Sequence, residues 1–170
     1  MVLAGLLAAF LPDRSESRAS AATQSLATVR YIKKGLSVQA PHHVAGKGKL
    51  KQALYTAYRL QTKRQQKASI GFRDGTLLHL NQQTDATLRS ASLTQVKQGE
   101  VAEQVMPGTN HQVQTSSAVA SAIGTLYDVQ VKGTLTIVTV VEGAVLVTTP
   151  QGSVIVKSGQ QVRIRKGKAP

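Results

Sequence analysis

The chain has 170 residues, enough for one domain with its own core. Apolar residues reach 41%, which excludes a disordered polymer, and the absence of Cys excludes a disulfide framework, a thiolate metal site and a cysteine nucleophile. Aromatics are only 4% with no Trp, so the core must be aliphatic, while 21 Lys+Arg against 8 Asp+Glu give a net charge of +13.

Neither property is evenly spread. Residues 17–73 hold twelve of the basic residues and no acid, whereas fourteen of the nineteen Val lie after residue 100. A basic segment of this kind attracts nucleic acid, anionic lipid or an acidic wall polymer, or else forms a solvated strand face.

Val2 to Leu11 is a continuous apolar run, too short for the ~20 residues a spanning helix needs. Its length suits the apolar region of a signal peptide, although no basic stretch precedes it, and we expect an export or anchoring segment. Residues 12–25 are small and polar and read as a linker. The expected organisation is therefore an apolar segment and linker over 1–25, a β domain over 26–165 and a basic tail over 166–170.

Ala27 to Gln39 reads as two short strands around Lys33-Lys34-Gly35, and Ala40 to Gly48 as a loop. Leu50 to Gln61 fits a helix on pattern alone. Ile70 and Phe72 alternate up to Asp74-Gly75, and Leu78 and Leu80 follow. That is a hairpin signal predicting a type I′ turn, with positive φ at both central residues. Ala86 to Arg89 starts another strand, and Val96 leads to a turn at Gln98-Gly99 before Val101 to Val105. His111 to Thr115 alternates about Val113, and Ser121 to Gly124 reads as a bend. Strands then recur around Val129, Ile137, Val145, Val154 and Val162, separated by glycine turns. Short strands at this spacing predict an all-β fold, a sandwich or jelly-roll-like roll of antiparallel strands.

No catalytic constellation stands out. Gly46-Lys47-Gly48-Lys49 lacks the glycine spacing and the Ser/Thr of a phosphate loop. Adjacent His42 and His43 do not converge on a metal without further ligands. His79 and His111 read as solvent-facing strand residues, and no pair of acids has a spacing that argues for acid/base work. Tyr31, Tyr55 and Tyr58 lie inside the basic segment and read first as core residues, with base stacking as the alternative. The expectation is no catalytic residue, cofactor, metal or small-molecule substrate. A basic contact surface is expected on Lys33, Lys34, Lys47, Lys49, Lys51, Arg59, Lys63, Arg64 and Lys67.

Five pieces in order carry a family resemblance. They are Ala68 to Asn81 with its Asp74-Gly75-Thr76 turn and Leu80-Asn81 ending, Val96 to Glu100 with Gly99, Val113 to Val129 with Gly124-Thr125, Val141 to Val147 with Glu142-Gly143, and Ser158 to Val162 with Gly159. The stretch from about Ala27 to Ile164 resembles the FecR domain family. The resemblance implies strands in place of the helix near Leu50 to Thr62, with Ala57-Tyr58 where a Gly-Asp turn is usual. It gives structural roles to Asp74, Gly75, Asn81, Gly99, Gly124, Thr125, Glu142, Gly143 and Gly159. It also implies an extracytoplasmic sensory module, periplasmic or at the cell surface, with protein partners in the envelope. In the founding system such a regulator is signalled by a ferric-siderophore transducer and controls a sigma factor. These 170 residues show neither that system's anti-sigma segment nor its transducer-docking domain. The expectation is thus a non-enzymatic signalling module without the specific iron role. The alternative is a basic β module that binds an anionic polymer or a lipid surface.

Overall fold

The computed structural model describes residues 24–170. The apolar run Val2 to Leu11 and most of the expected linker lie outside them. Sixteen strands and no helix occur among the described residues. The first half holds β1 (Ala27–Lys33), β2 (Ser37–Gln39), β3 (Gly46–Lys47), β4 (Ala53–Leu54), β5 (Arg59–Gln61), β6 (Lys67–Phe72), β7 (Leu77–Leu80) and β8 (Asp85–Ser90). The long β9 (Leu93–Gln104) follows, then β10 (Asn110–Gln114), β11 (Val119–Ile123), β12 (Leu126–Lys132) and β13 (Leu135–Glu142). The chain closes with β14 (Ala144–Thr149), β15 (Gly152–Lys157) and β16 (Gln161–Arg165).

These strands make two layers joined through β9. One layer runs β4-β1-β6-β7-β9-β12-β13-β16 and the other β3-β2-β5-β8-β9-β10-β11-β14-β15. The first half of β9 pairs β8 and β10, and the second half pairs β7 and β12. The expected turn at Gln98-Gly99 is therefore a point inside one strand. The strand bulges where Asp85 pairs Gln98 but Ala86 pairs Val96, and this shifts the chain between layers. Gly99 has φ 93, and a Cβ there would lie 2.4 Å from Thr84 Cα, so only glycine lets β9 pass the β7–β8 turn.

Alternation explains the core. Tyr127, Val129 and Val131 point inward from β12, Val138 and Val140 from β13, and Val145 and Val147 from β14. Each such valine contributes about 1.5–3 kcal/mol of burial. β-branched side chains also favour the pleated backbone. The valine-rich half is thus both strand-forming and core-forming.

Other expectations need correction. The Asp74-Gly75 hairpin has a three-residue loop, closed by Phe72 N–H to Thr76 O at 2.9 Å. Gly75 has φ 92, while Asp74 keeps an ordinary negative φ, so the turn is not type I′. The bend expected at Ser121 to Gly124 is mostly strand β11, because Ala120 and Ala122 alternate inward as the valines do. One pair, β9 with β10, is parallel, since the chain crosses to the other layer along β9 before returning as β10. The Leu50 to Gln61 stretch forms β4 and β5, as the family resemblance implied, and Ala57 takes φ 64 where glycine is usual. The Ala40 to Gly48 loop includes the two-residue β3.

Candidate functional site

A polar chain runs from exposed Asp74 into the core beneath the β6–β7 hairpin. Asp74 accepts Thr76 N–H at 2.9 Å through Oδ1, and its Oδ2 lies 2.7 Å from His111 Nε2. His111 Nδ1 lies 3.2 Å from Glu103 Oε1, and the Tyr127 hydroxyl donates to Glu103 Oε2 at 2.5 Å. His111 and Glu103 are each 1% exposed, so His111 is not the solvent-facing residue the sequence predicts. The reason is period two. Val113 faces the core, so His111 on the same strand does too. The ring also meets Phe72 edge-on, with centroids 4.8 Å apart.

Burial pulls the His111 pKa down, but the hydrogen bond and charge of Glu103, then of Asp74, outweigh it and the net shift is upward. Burial pushes Asp74 up, and the Thr76 N–H and His111 more than reverse this, leaving it low. Burial and the Glu103 charge hold the Tyr127 phenol well above its usual value. Both ring nitrogens of His111 lie within hydrogen-bond distance of a carboxylate, Nε2 of Asp74 and Nδ1 of Glu103. These bonds tie the Asp-Gly hairpin to β9, β10 and β12.

A second cluster lies on the outward face of the β1-β6-β7-β9-β12 layer. The hairpin register sets Ser69 opposite His79, and Ser69 Oγ is 2.7 Å from His79 Nδ1. Asn81 Nδ2 donates to Glu100 Oε1 at 3.0 Å, and Gln130 Nε2 to Glu100 Oε2 at 2.9 Å. Tyr31, Lys67, Ser69, His79, Asn81 and Glu100 line a shallow groove of about 280 Å³ that also includes Ala102. Asp128, paired with Ala102 in the ladder, is pushed up to about 7 by burial and then by the Glu100 carboxylate. The Ser69–His79 pair sits mid-strand, where backbone N–H groups are committed to ladder bonds and cannot form an oxyanion hole. Tyr31 is 51% exposed at this groove, which corrects the core reading for that tyrosine. The Tyr55 and Tyr58 rings meet tilted by 52°, with centroids 5.6 Å apart, and Tyr58 packs on the core.

The predicted basic surface is only partly gathered. Lys33 and Lys67 are directly opposed on β1 and β6. Lys34 Nζ donates to Gln65 Oε1 at 2.6 Å, which brings the β1–β2 and β5–β6 connections together with Lys63 and Arg64 beside them. Lys47 pairs Ser37 close by, while Lys49 and Lys51 lie exposed on the β3–β4 connection. Arg59 is not free. It grips Asp85 with Nε and Nη2 at 2.8 and 2.5 Å, and that bond, the largest influence, holds Asp85 low.

The motif residues occupy turns and strand ends. Asn81 caps the β7–β8 turn by accepting Gln82 N–H at 2.9 Å. The Thr125 hydroxyl, following Gly124, donates to Ile123 O at 2.9 Å and packs near Gly143. Glu142 ends β13 exposed, and Gly159 N–H donates to Val140 O at 2.9 Å between β15 and β16. Among the described residues no group of three or more His, Cys, Asp or Glu is placed to hold a metal ion.

The family model described as FecR protein matches residues 58–146, just over half of the chain. This chain belongs to the FecR family. The matched span runs from β5 to β14 and contains both polar clusters. Two crystal structures of a candidate anti-sigma factor from Parabacteroides distasonis ATCC 8503, at 1.65 and 2.50 Å resolution, are similar to it. Both are 22% identical, with TM-scores of 0.56 and 0.57, over 66% of this chain and 57% and 56% of theirs. The chain thus spans a little over half the length of those structures, and at this identity the likeness is one of fold. No curated protein matches the chain.

Proposed function

We propose that this FecR-family chain is a non-enzymatic signalling module that acts outside the cytoplasm through contacts with other proteins. Membership over residues 58–146 carries the reading. The side-chain chemistry supports it, because His111, Glu103 and Asp74 are consumed by one another and the Ser69–His79 pair has no oxyanion donors. Envelope location follows the habit of the family. Val2 to Leu11, the candidate export or anchoring segment, lies outside the described residues. No helix among the described residues is long and apolar enough to cross a membrane. Control of a sigma factor is the regulatory output proposed, and response to iron-siderophore uptake is a narrower option within it. The test is transcript profiling after deletion of the gene. One promoter class read by an alternative sigma factor should shift, and an unchanged profile would overturn the reading.

A second reading rests on the exposed cluster of Lys33, Lys34, Lys63, Arg64 and Lys67, which suits an anionic polymer or lipid headgroups. Binding driven by these cations would weaken steeply as salt is raised.

A further inference from the structure

The two layers end in unequal edges. β3 and β4 are two residues long, which is one of the ways proteins blunt an edge. The opposite edges, β15 and β16, are six and five residues long, and each is paired on one side only. They flank a cleft of about 370 Å³ that contains Val154, Val156 and Val162. Val154 and Val162 are only partly buried there although they pack on the core.

The two edges are not equally protected. β16 carries Arg163 and Arg165, whereas Lys157 is the only charge on β15. Ser158 N–H donates to Gly143 O at 2.9 Å, and the register continues through Val156–Val145 and Val154–Val147. Antiparallel alternation then points the backbone groups of Ser153, Ile155 and Lys157 outward, at the free edge. Ile155 is 60% exposed and its β14 neighbour Leu146 is 44% exposed. Residues 143–170 hold five cations and no acid. A second copy would bring the same five cations to the contact, so charge disfavours self-pairing and favours an acidic strand.

We propose that the β15 edge accepts an added strand from a partner protein, an extended segment alternating apolar and acidic residues. Its apolar side chains cover Val154 and Val162 and close the cleft, while its carboxylates reach Lys157. This rests on the reading of the chain as a protein-contact module and names the partner's chemistry.

The test measures fluorescence anisotropy of two labelled peptides of about eight residues, a strand's length, one alternating Val and Glu, the other Val and Lys, with the full chain at low salt. The Val–Glu peptide binds and the Val–Lys peptide does not. Ile155→Pro removes an outward N–H without removing a bond to β14, and it weakens Val–Glu binding by about tenfold or more. Equal binding by wild type and Ile155→Pro, or no Val–Glu binding at low salt, overturns the proposal. So does self-association on sedimentation that Ile155→Pro abolishes, because a second copy would then cover the edge. If circular dichroism shows Ile155→Pro unfolded, the double variant Lys157→Glu with Arg163→Glu decides. Its preference must move to the Val–Lys peptide, and an unchanged preference refutes the proposal. A transcriptional response to gene deletion without peptide binding sinks this proposal alone, whereas peptide binding without that response sinks the regulatory reading.

Discussion

Replacing Asp128 by Asn should stabilise the protein at alkaline pH and leave it nearly unchanged in acid. The Asp128 carboxyl is pushed up to about 7 by burial and then by Glu100. Against the ordinary value of 3.8 the shift is upward, so the folded chain holds a proton that the unfolded chain releases. Stability due to this group is therefore present in acid and falls as pH rises from about 4 to about 7. About three units at 1.36 kcal/mol each set a ceiling of about 4 kcal/mol. Asp128 is only partly buried, and solvent screening roughly halves that to about 2 kcal/mol. Asn keeps the shape and the hydrogen-bonding capacity beside Glu100 but cannot ionise. Urea denaturation near pH 8 should show Asp128→Asn more stable by about 2 kcal/mol, and near pH 4.5 by about 0.5 kcal/mol. A difference that is the same at both pH values would refute the account of Asp128 as a carboxyl raised by burial and by Glu100.

His111 has its pKa raised, so its stabilisation is complete below the ordinary 6.5 and is lost as pH climbs through the higher folded value. Thermal melts of wild type should decline above about pH 6.5, while His111→Gln melts lower throughout and stays flatter, at a cost of about 3 kcal/mol near pH 6 for depriving the buried Glu103 carboxylate of its charged partner. Gly99→Ala forces a Cβ to 2.4 Å from Thr84 Cα at φ 93, and chemical denaturation should show a loss of about 3 kcal/mol or a chain that fails to fold. Stability within about 0.5 kcal/mol of wild type would refute the role given to that bulge. If the basic cluster binds polyanions, replacing Lys33, Lys34, Lys63 and Arg64 with Glu abolishes retention on heparin at low salt and lessens the salt dependence. Weak wild-type retention at low salt removes that reading.

Local patterning made the fold class readable. Alternating valines between glycine turns can bury one face only as strands, so the existence of β12 to β16 follows from that alternation, but their pairing, β13 with β16 and β14 with β11, does not. The turn misread at Gly99 shows where the pattern stops. Glycine with positive φ serves a bulge as well as a turn, and only the two partners of β9 tell them apart. Part of the groove is legible in the sequence. A hairpin centred on Asp74 pairs Ser69 with His79, and that register was present in the sequence. His111 was also legible, since it lies two residues from Val113 on the inward face. Its partners were not, because Asp74 and Glu103 reach it from other strands, and such contacts depend on sheet order. The pairing of Arg59 with Asp85 likewise needed the β5–β8 register, and it withdraws one cation from the expected basic face.

Signalling by contact and not by catalysis is decided by complementing a deletion strain and reading its transcripts. Wild type should restore the sigma-factor-dependent promoter class, and so should chains carrying Ser69→Ala, His79→Ala or Glu100→Gln at the groove. A promoter class that never moved on deletion, or restoration lost with each of these substitutions in folded protein, would contradict it.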